Sequence, residues 1–193
     1  MAVRKILMLK KEGKIWTFLL EDDVIAEIHC ALPDSEQHRQ PVLGDIYIGK
    51  VKNIAANIGA AFIEILPGKE CYYDLSQASQ AIFTHKIGKK PLCIGDELVV
   101  QISREAVKTK APTVSSNINF TGRYAVLTTG NTRIGTSGKL SRSIREDYKE
   151  KLSYLKNEDY GLIIRTNAKD VAFETVLEEI QKLESAYVKL KET

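Results

Sequence analysis

The sequence predicts a β-rich α+β protein: an antiparallel strand meander, a small closed sheet, and a mixed region that ends in a long helix. Three observations lead there. Most of the first 106 residues fall into short apolar or alternating runs broken by glycines and charged pairs, a pattern of small sheets rather than βαβ units. Residues 144–157, "IREDYKEKLSYLKN", set Ile144, Tyr148, Leu152 and Leu155 at helical spacing. Beyond Ala168, Val176, Ile180, Leu183, Tyr187 and Leu190 mark one face of a helix of about five turns or more, with no stop signal before the chain ends.

Taken in order, "KILML", "IWTFLL" and "VIAEIHCAL" within residues 4–32 are three strands separated by "KKEGK" and "EDD", short enough to be tight turns. "PDSEQHRQP" (33–41) has two prolines and no period, and reads as a linker. "DIYIGKVKNI" then alternates sides, "GAAFIEIL" (59–66) follows the break "AANIG", and "ECYYDLS" (70–76) is a third strand. After the loose stretch "QASQAIFTHKIGKKPLC", Gly-Asp opens the strand "GDELVVQISREA" (95–106). "INF" and "GRYAVLTTG" (122–130) come next, then a polar, Gly-rich loop "NTRIGTSGKLSRS", the 144–157 helix, and the strand "YGLIIRT".

A chain of 193 residues, 44% hydrophobic and 27% charged, is long enough for one domain or two small ones with a buried core. No run of about 18 uncharged apolar residues is present and nothing resembles a signal peptide, which argues against a membrane span. Cys30, Cys71 and Cys93 are odd in number and far apart, with no C-x-x-C pair; a reducing, cytoplasmic setting fits them best. His29, His38 and His85 form no pair at metal-ligand spacing. The net charge of +3 conceals a division. Between Arg104 and Lys156 eleven Lys or Arg face four acids, a net +7, which leaves −4 for the rest. Clustered positive charge points to a polyanion, against the plainer reading of a solvated surface.

Three local features carry chemistry. Phe62 and Tyr72 on adjacent strands, with Lys50 and Lys52 beside them, are the parts of a single-strand nucleic-acid face, where rings stack bases and ammonium groups meet phosphates. Periodicity alone leaves Phe62 open to being a core residue. In "YGLIIRTNAKD" (160–170), Arg165 and Thr166 sit where a buried strand becomes a helix. A guanidinium grips two phosphate oxygens, a hydroxyl donates to a third, and a helix N-terminus adds amides. The competing reading is an N-cap made by Asn167 with Asp170. By contrast "GTSGKLS" (135–141) lacks the spacing and context of a phosphate loop, and the last helix has too few heptads for a coiled coil.

Together "GDIYIGKVKNIAANIGAAFIEI", "IGDELVVQISREAVKTKAPTVSSNINFTGRYAVL" and "GLIIRTNA" resemble, in order and spacing, the ribonuclease E/G family of bacterial single-strand endoribonucleases over most of residues 44–170. The resemblance implies partial ribonuclease-H-like strands and a linker over 1–41, a five-stranded OB-fold RNA-binding barrel over 42–112, and a 5′-sensor region over 113–193. It implies that Phe62 and Tyr72 are the stacking pair, although the family normally has Phe at the second position. Lys110 matches a basic residue beside the RNA path. Gly122 and Val126 match the segment whose backbone encloses the RNA 5′ end, and Arg165 and Thr166 match the pair that binds a 5′-monophosphate. A triphosphate is disfavoured for want of room and charge.

The family cuts RNA at an aspartate-based metal site, so Mg2+ is expected in a catalytic domain beyond this stretch. No cofactor and no catalytic residue are expected in residues 1–193, which should be inactive alone. The expected partner is single-stranded RNA bearing a 5′-monophosphate, in RNA processing and decay. The orphan meander should pack on the chain's own C-terminal helix or form a homodimer, since exposed strand edges invite pairing. Two other readings stand beside this one: a stand-alone, non-catalytic RNA-binding module, and a protein-interaction barrel with no RNA role.

Overall fold

The computed structural model describes residues 3–31 and 40–192, and the chain divides into two compact units, Met1–Gln40 and Pro41–Thr193. Most of the linker expected over 33–41, with His38, lies outside the described residues.

The first unit is the expected meander: β1 (Arg4–Lys11), β2 (Lys14–Glu21) and β3 (Val24–Ala31), antiparallel in the order β1-β2-β3. Both connections are two-residue turns with positive φ throughout, Glu12-Gly13 at 54° and 72° and Asp22-Asp23 at 49° and 64°. That geometry matches the right-handed twist of paired strands, and polar residues and Gly tolerate it best. The register aligns Leu7, Phe18 and Ile28 across one face, with Leu9, Trp16 and Cys30 in the row beside them. Leu7 and Ile28 are exposed.

The second unit begins with a barrel built from β4 (Ile46–Ala55), β5 (Ala60–Leu66), β6 (Lys69–Asp74), β7 (Phe83–His85), β8 (Glu97–Arg104) and β9 (Thr113–Ser115). Five of these close on themselves in the order β4-β5-β6-β9-β8, with β8 returning to β4, while β7 extends the edge of β8. The parallel pairing of β6 with β9 lets the last strand slot between the third and fourth. This is the topology of an OB-fold, a barrel in which closure removes the sheet edges. The closing strand starts just past the boundary expected at residue 112. Three residues inside the polar run "APTVSS" carry too little alternation to announce a strand. Alternation elsewhere is strict: in β5, Ala61, Ile63 and Ile65 point into the core while Phe62 and Glu64 point out. The core also takes Val51, Cys71, Tyr73, Leu98 and Val100. Burial pushes the Cys71 thiol up to about 11, so it packs as an apolar group. Asp96 is buried at the entrance to β8 and holds the preceding loop to the barrel, accepting from the Lys86 ammonium (2.5 Å) and the amides of Ile87 (2.8 Å) and Cys93 (2.6 Å).

The remainder is a four-stranded sheet with two helices on one face. Its elements are β10 (Asn119–Thr121), β11 (Ala125–Thr128), β12 (Ile134–Thr136), α1 (Arg142–Lys151), β13 (Gly161–Ile164) and α2 (Phe173–Lys191), with strand order β10-β11-β13-β12. Ala125, Leu127, Leu162 and Ile164 form one side of the core, and Tyr148, Leu152, Val176, Ile180 and Tyr187 the other. Ser141 caps α1 by accepting from the Ile144 amide. β12 lies inside the run expected to be a loop; its parallel pairing with β13 is a long-range contact that local pattern cannot reveal. Among the described residues no helix is long and apolar enough to cross a membrane.

The start of the last helix differs from expectation. Residues Thr166–Asp170 form a 3-10 turn, Val171 is extended (φ −136°, ψ 162°), and α2 begins only at Phe173. Neither the turn nor α2 has a side-chain cap, so the Asn167–Asp170 capping arrangement is not formed. The helix dipole therefore starts well downstream of Arg165 and Thr166, and their chemistry rests on their own side chains.

Candidate nucleic-acid interface

The barrel and the helix-backed sheet each present one group of the expected residues. On the barrel, Phe62 lies directly across from Tyr72 in the β5–β6 register. Both rings stand on the outer face and are half-buried, while their neighbours Ile63 and Tyr73 point inward. Lys50 and Lys52 are exposed on the same face of β4, because outward positions alternate there with buried Gly49 and Val51. The structure thus brings these four together. It also interleaves acids: Lys50 pairs with Glu97 at 3.2 Å and Lys52 with Glu64 at 3.1 Å. Glu64 is held below the usual carboxylate range, first by Lys52 and then by the Gly68 amide. These are exposed pairs of small individual worth, which an incoming phosphate can exchange. Lys110 sits apart, exposed on a short turn closed by the Val107–Lys110 bridge.

The second group surrounds the end of β13. The Arg165 amide donates to the Tyr124 carbonyl at 2.7 Å, and its guanidinium donates to the Gly122 carbonyl. One residue, placed by the end of a buried strand, therefore grips the β10–β11 turn twice. Arg165 is exposed and forms no ion pair among the described residues. Thr166 is half-buried, with its hydroxyl 2.9 Å from the Ser137 hydroxyl. Ser137 is itself fixed, because its amide donates to the Ile164 carbonyl at 2.8 Å. Arg165, Thr166 and Gly122 are thus neighbours, and Val126 flanks them in mid-strand, opposite Thr121 on one side and Ile163 on the other. The Tyr124 carbonyl faces β13; by strand alternation the Val126 peptide faces it too, in the ladder with Ile163. What Val126 presents outward is its half-buried side chain.

Two participants were invisible to sequence reasoning. Ser137 belongs to the Gly-rich run that lacks any phosphate-loop spacing, and only the parallel β12–β13 pairing delivers it to Thr166. Glu179, on α2, accepts from the amides of Arg123 (2.9 Å), Tyr124 (2.7 Å) and Ala125 (2.9 Å). Nothing in a helical glutamate announces that. Most of the basic stretch is free of ion pairs: of its Lys and Arg between 104 and 156, only Arg142 and Lys151 form ion pairs among the described residues, each with an acid of its own helix. No group of three His, Cys, Asp or Glu side chains suited to a metal ion occurs among the described residues.

The chain is similar to known proteins over most of its length. Residues 119–193 match the model described as the Ribonuclease E/G family. Over 187 residues the chain is 26% identical to Ribonuclease G of Salmonella typhimurium, a match covering 90% of this chain and 37% of that protein. It is 30% identical over 149 residues to Ribonuclease E of a Synechocystis species, covering 75% of this chain and 22% of that protein. With Ribonuclease E of Buchnera aphidicola it shares 30% identity over 172 residues, 84% of this chain and 17% of that protein. The chain spans well under half the length of these relatives.

Proposed function

Because the chain belongs to the ribonuclease E/G family, we propose that it supplies the RNA-binding and 5′-monophosphate-recognising part of a ribonuclease E/G-like single-strand endoribonuclease, working in cytoplasmic RNA processing and decay. The observation that carries the reading is Arg165: an exposed guanidinium, unpaired with any carboxylate among the described residues, held at the Gly122 carbonyl and followed in the chain by the Thr166 hydroxyl. A phosphate monoester supplies the negative charge and the acceptor oxygens that such a group lacks. Bases of the same strand stack on Phe62 and Tyr72, with phosphates drawn to Lys50, Lys52 and Lys110. Strand cleavage, and the Mg2+ it uses, belong in this reading to a separate catalytic region.

The test compares short RNAs of one sequence with 5′-monophosphate, 5′-triphosphate or 5′-hydroxyl ends, with and without Arg165→Ala. The reading expects a preference for monophosphate that the variant abolishes. Equal affinity for all three ends in the unaltered protein overturns the end-recognition role. We also propose that the exposed apolar residues of the meander support a homodimer; a monomer in light scattering across the micromolar range overturns that.

A further inference from the structure

We propose that Glu179 is the positioning residue for Arg165, acting through the turn between β10 and β11. The proposal rests on the 5′-monophosphate reading for its functional consequence, but its structural content stands on separate observations. Three consecutive amides, those of Arg123, Tyr124 and Ala125, converge on the one Glu179 carboxylate at 2.7–2.9 Å. Tyr124 and Ala125 share Oε1, and Arg123 takes Oε2. Successive amides turned toward one point make an anion-binding concavity, and here a side chain of the protein itself fills it.

The same turn offers the two carbonyls that hold Arg165, those of Gly122 and Tyr124. The three peptide groups between Gly122 and Ala125 thus face Glu179 with their N–H groups, and two of them face Arg165 with their C=O groups. Bonds to an ionised acceptor are about twice as strong as neutral ones, and an anion on a peptide N–H polarises that peptide so that its carbonyl becomes a better acceptor. The role of Gly122 follows as well. A Cβ at this position would overlap the Glu179 carboxylate, so glycine is what lets the carboxylate reach the three amides. Gly122 has no positive φ, which leaves this close approach as its reason to be glycine. Glu179 lies on the same face of α2 as Val176 and Ile180 are buried from, and the α2 packing against β10 and β11 gives it a rigid base.

The experiment uses the unaltered protein, Glu179→Ala, Glu179→Gln and Arg165→Ala, each checked for intact folding by circular dichroism. The first readout is amide hydrogen exchange at residues 123–125 and at Arg165. The second is the ratio of affinities for a short RNA with a 5′-monophosphate and with a 5′-hydroxyl. Expected for Glu179→Ala is faster exchange at all four amides and a ratio reduced about tenfold, with the 5′-hydroxyl RNA bound as before. Glu179→Gln keeps an oxygen for Tyr124 and Ala125 and should recover part of both effects; it also decides the matter if the alanine variant fails to fold. Unchanged protection of the Arg165 amide in both Glu179 variants overturns the proposal whatever RNA does. Where the unaltered protein does distinguish the two ends, an unaltered ratio despite loosened amides overturns it as well. If the unaltered protein is blind to the 5′ end while Glu179→Ala releases the Arg165 amide, the phosphate reading fails and the placement of Arg165 by Glu179 stands.

Discussion

The Ser137 hydroxyl lies 2.9 Å from the Thr166 hydroxyl, across the parallel strands β12 and β13. Two hydroxyls that face each other in an open site satisfy one another until an acceptor arrives, and then both can donate to it. A hydrogen bond to a charged group contributes about 1.5–3 kcal/mol. Ser137→Ala should therefore cost at least roughly tenfold in affinity for 5′-monophosphorylated RNA, the lower end of that range, with little effect on 5′-hydroxyl RNA. Fluorescence anisotropy with the two RNAs checks this; equal losses for both would remove Ser137 from the site.

Phe62 and Tyr72 form a cross-strand pair on the outer face of the barrel. Alanine at either should weaken single-stranded RNA binding by about 1–3 kcal/mol, irrespective of the 5′ end. Tyr72→Phe should be nearly silent, because the ring does the stacking. Binding titrations with a 5′-hydroxyl oligonucleotide read the effect directly, and an unchanged affinity in the Phe62→Ala, Tyr72→Ala double variant would count against the face.

Lys110 is exposed, whereas Lys50 and Lys52 are engaged with Glu97 and Glu64. Each phosphate contact to a single strand adds about 0.7 to the steepness of log affinity against log salt. Lys110→Ala should lower the slope by roughly that amount. Lys50→Ala should lower it less, since the charge of Lys50 is already partly neutralised by Glu97. A slope near zero in the unaltered protein would favour a protein-interaction barrel.

Asp96 is buried, and burial alone would raise its pKa. The Ile87 amide, the Lys86 ammonium and the Cys93 amide more than offset this, so its carboxyl titrates below the usual range. A depressed folded pKa means that stability from Asp96 is present above the unfolded value, about 3.9, and is lost as pH falls through the lower folded value. Asp96→Asn should destabilise at neutral pH by less than the about 3–5 kcal/mol of breaking a fully buried pair, because Lys86 keeps access to water, and should flatten the acid limb of stability below pH 4. Thermal unfolding from pH 7 to pH 3 tests both; parallel curves for the two proteins would show that Asp96 does not govern acid lability.

Cys30 is exposed, while Cys71 is buried with its thiol pushed up to about 11. Alkylation near pH 8 should label Cys30 and spare Cys71 until the barrel unfolds. Peptide mapping after timed labelling checks the order.

Much of the fold could be read from residue pattern alone. The meander strands, the alternating barrel strands and the helix containing Tyr148 are local periodicities and appear where expected, although that helix ends at Lys151 and a 3-10 turn over Ser153–Leu155 replaces its expected last part. The errors share one cause. β9, β12 and the delayed start of α2 depend on partners far away in sequence: β6 and β8 for the first, β13 for the second, and for the third the turn that carries Arg165 across to Tyr124. Three-residue strands have no period to detect.

The sequence by itself determined which chemistry is available: a basic stretch, an aromatic pair flanked by lysines, and an Arg-Thr step at the end of a buried strand. Tertiary structure alone decided which of these groups meet and which are already engaged. It set Phe62 across from Tyr72, tied Lys50 and Lys52 to acids, left Arg165 without a carboxylate among the described residues, and brought in Ser137 and Glu179. The physical reason is that charge and ring type are properties of single residues, whereas an ion pair or a gripped turn depends on distances closed only when strands and helices pack.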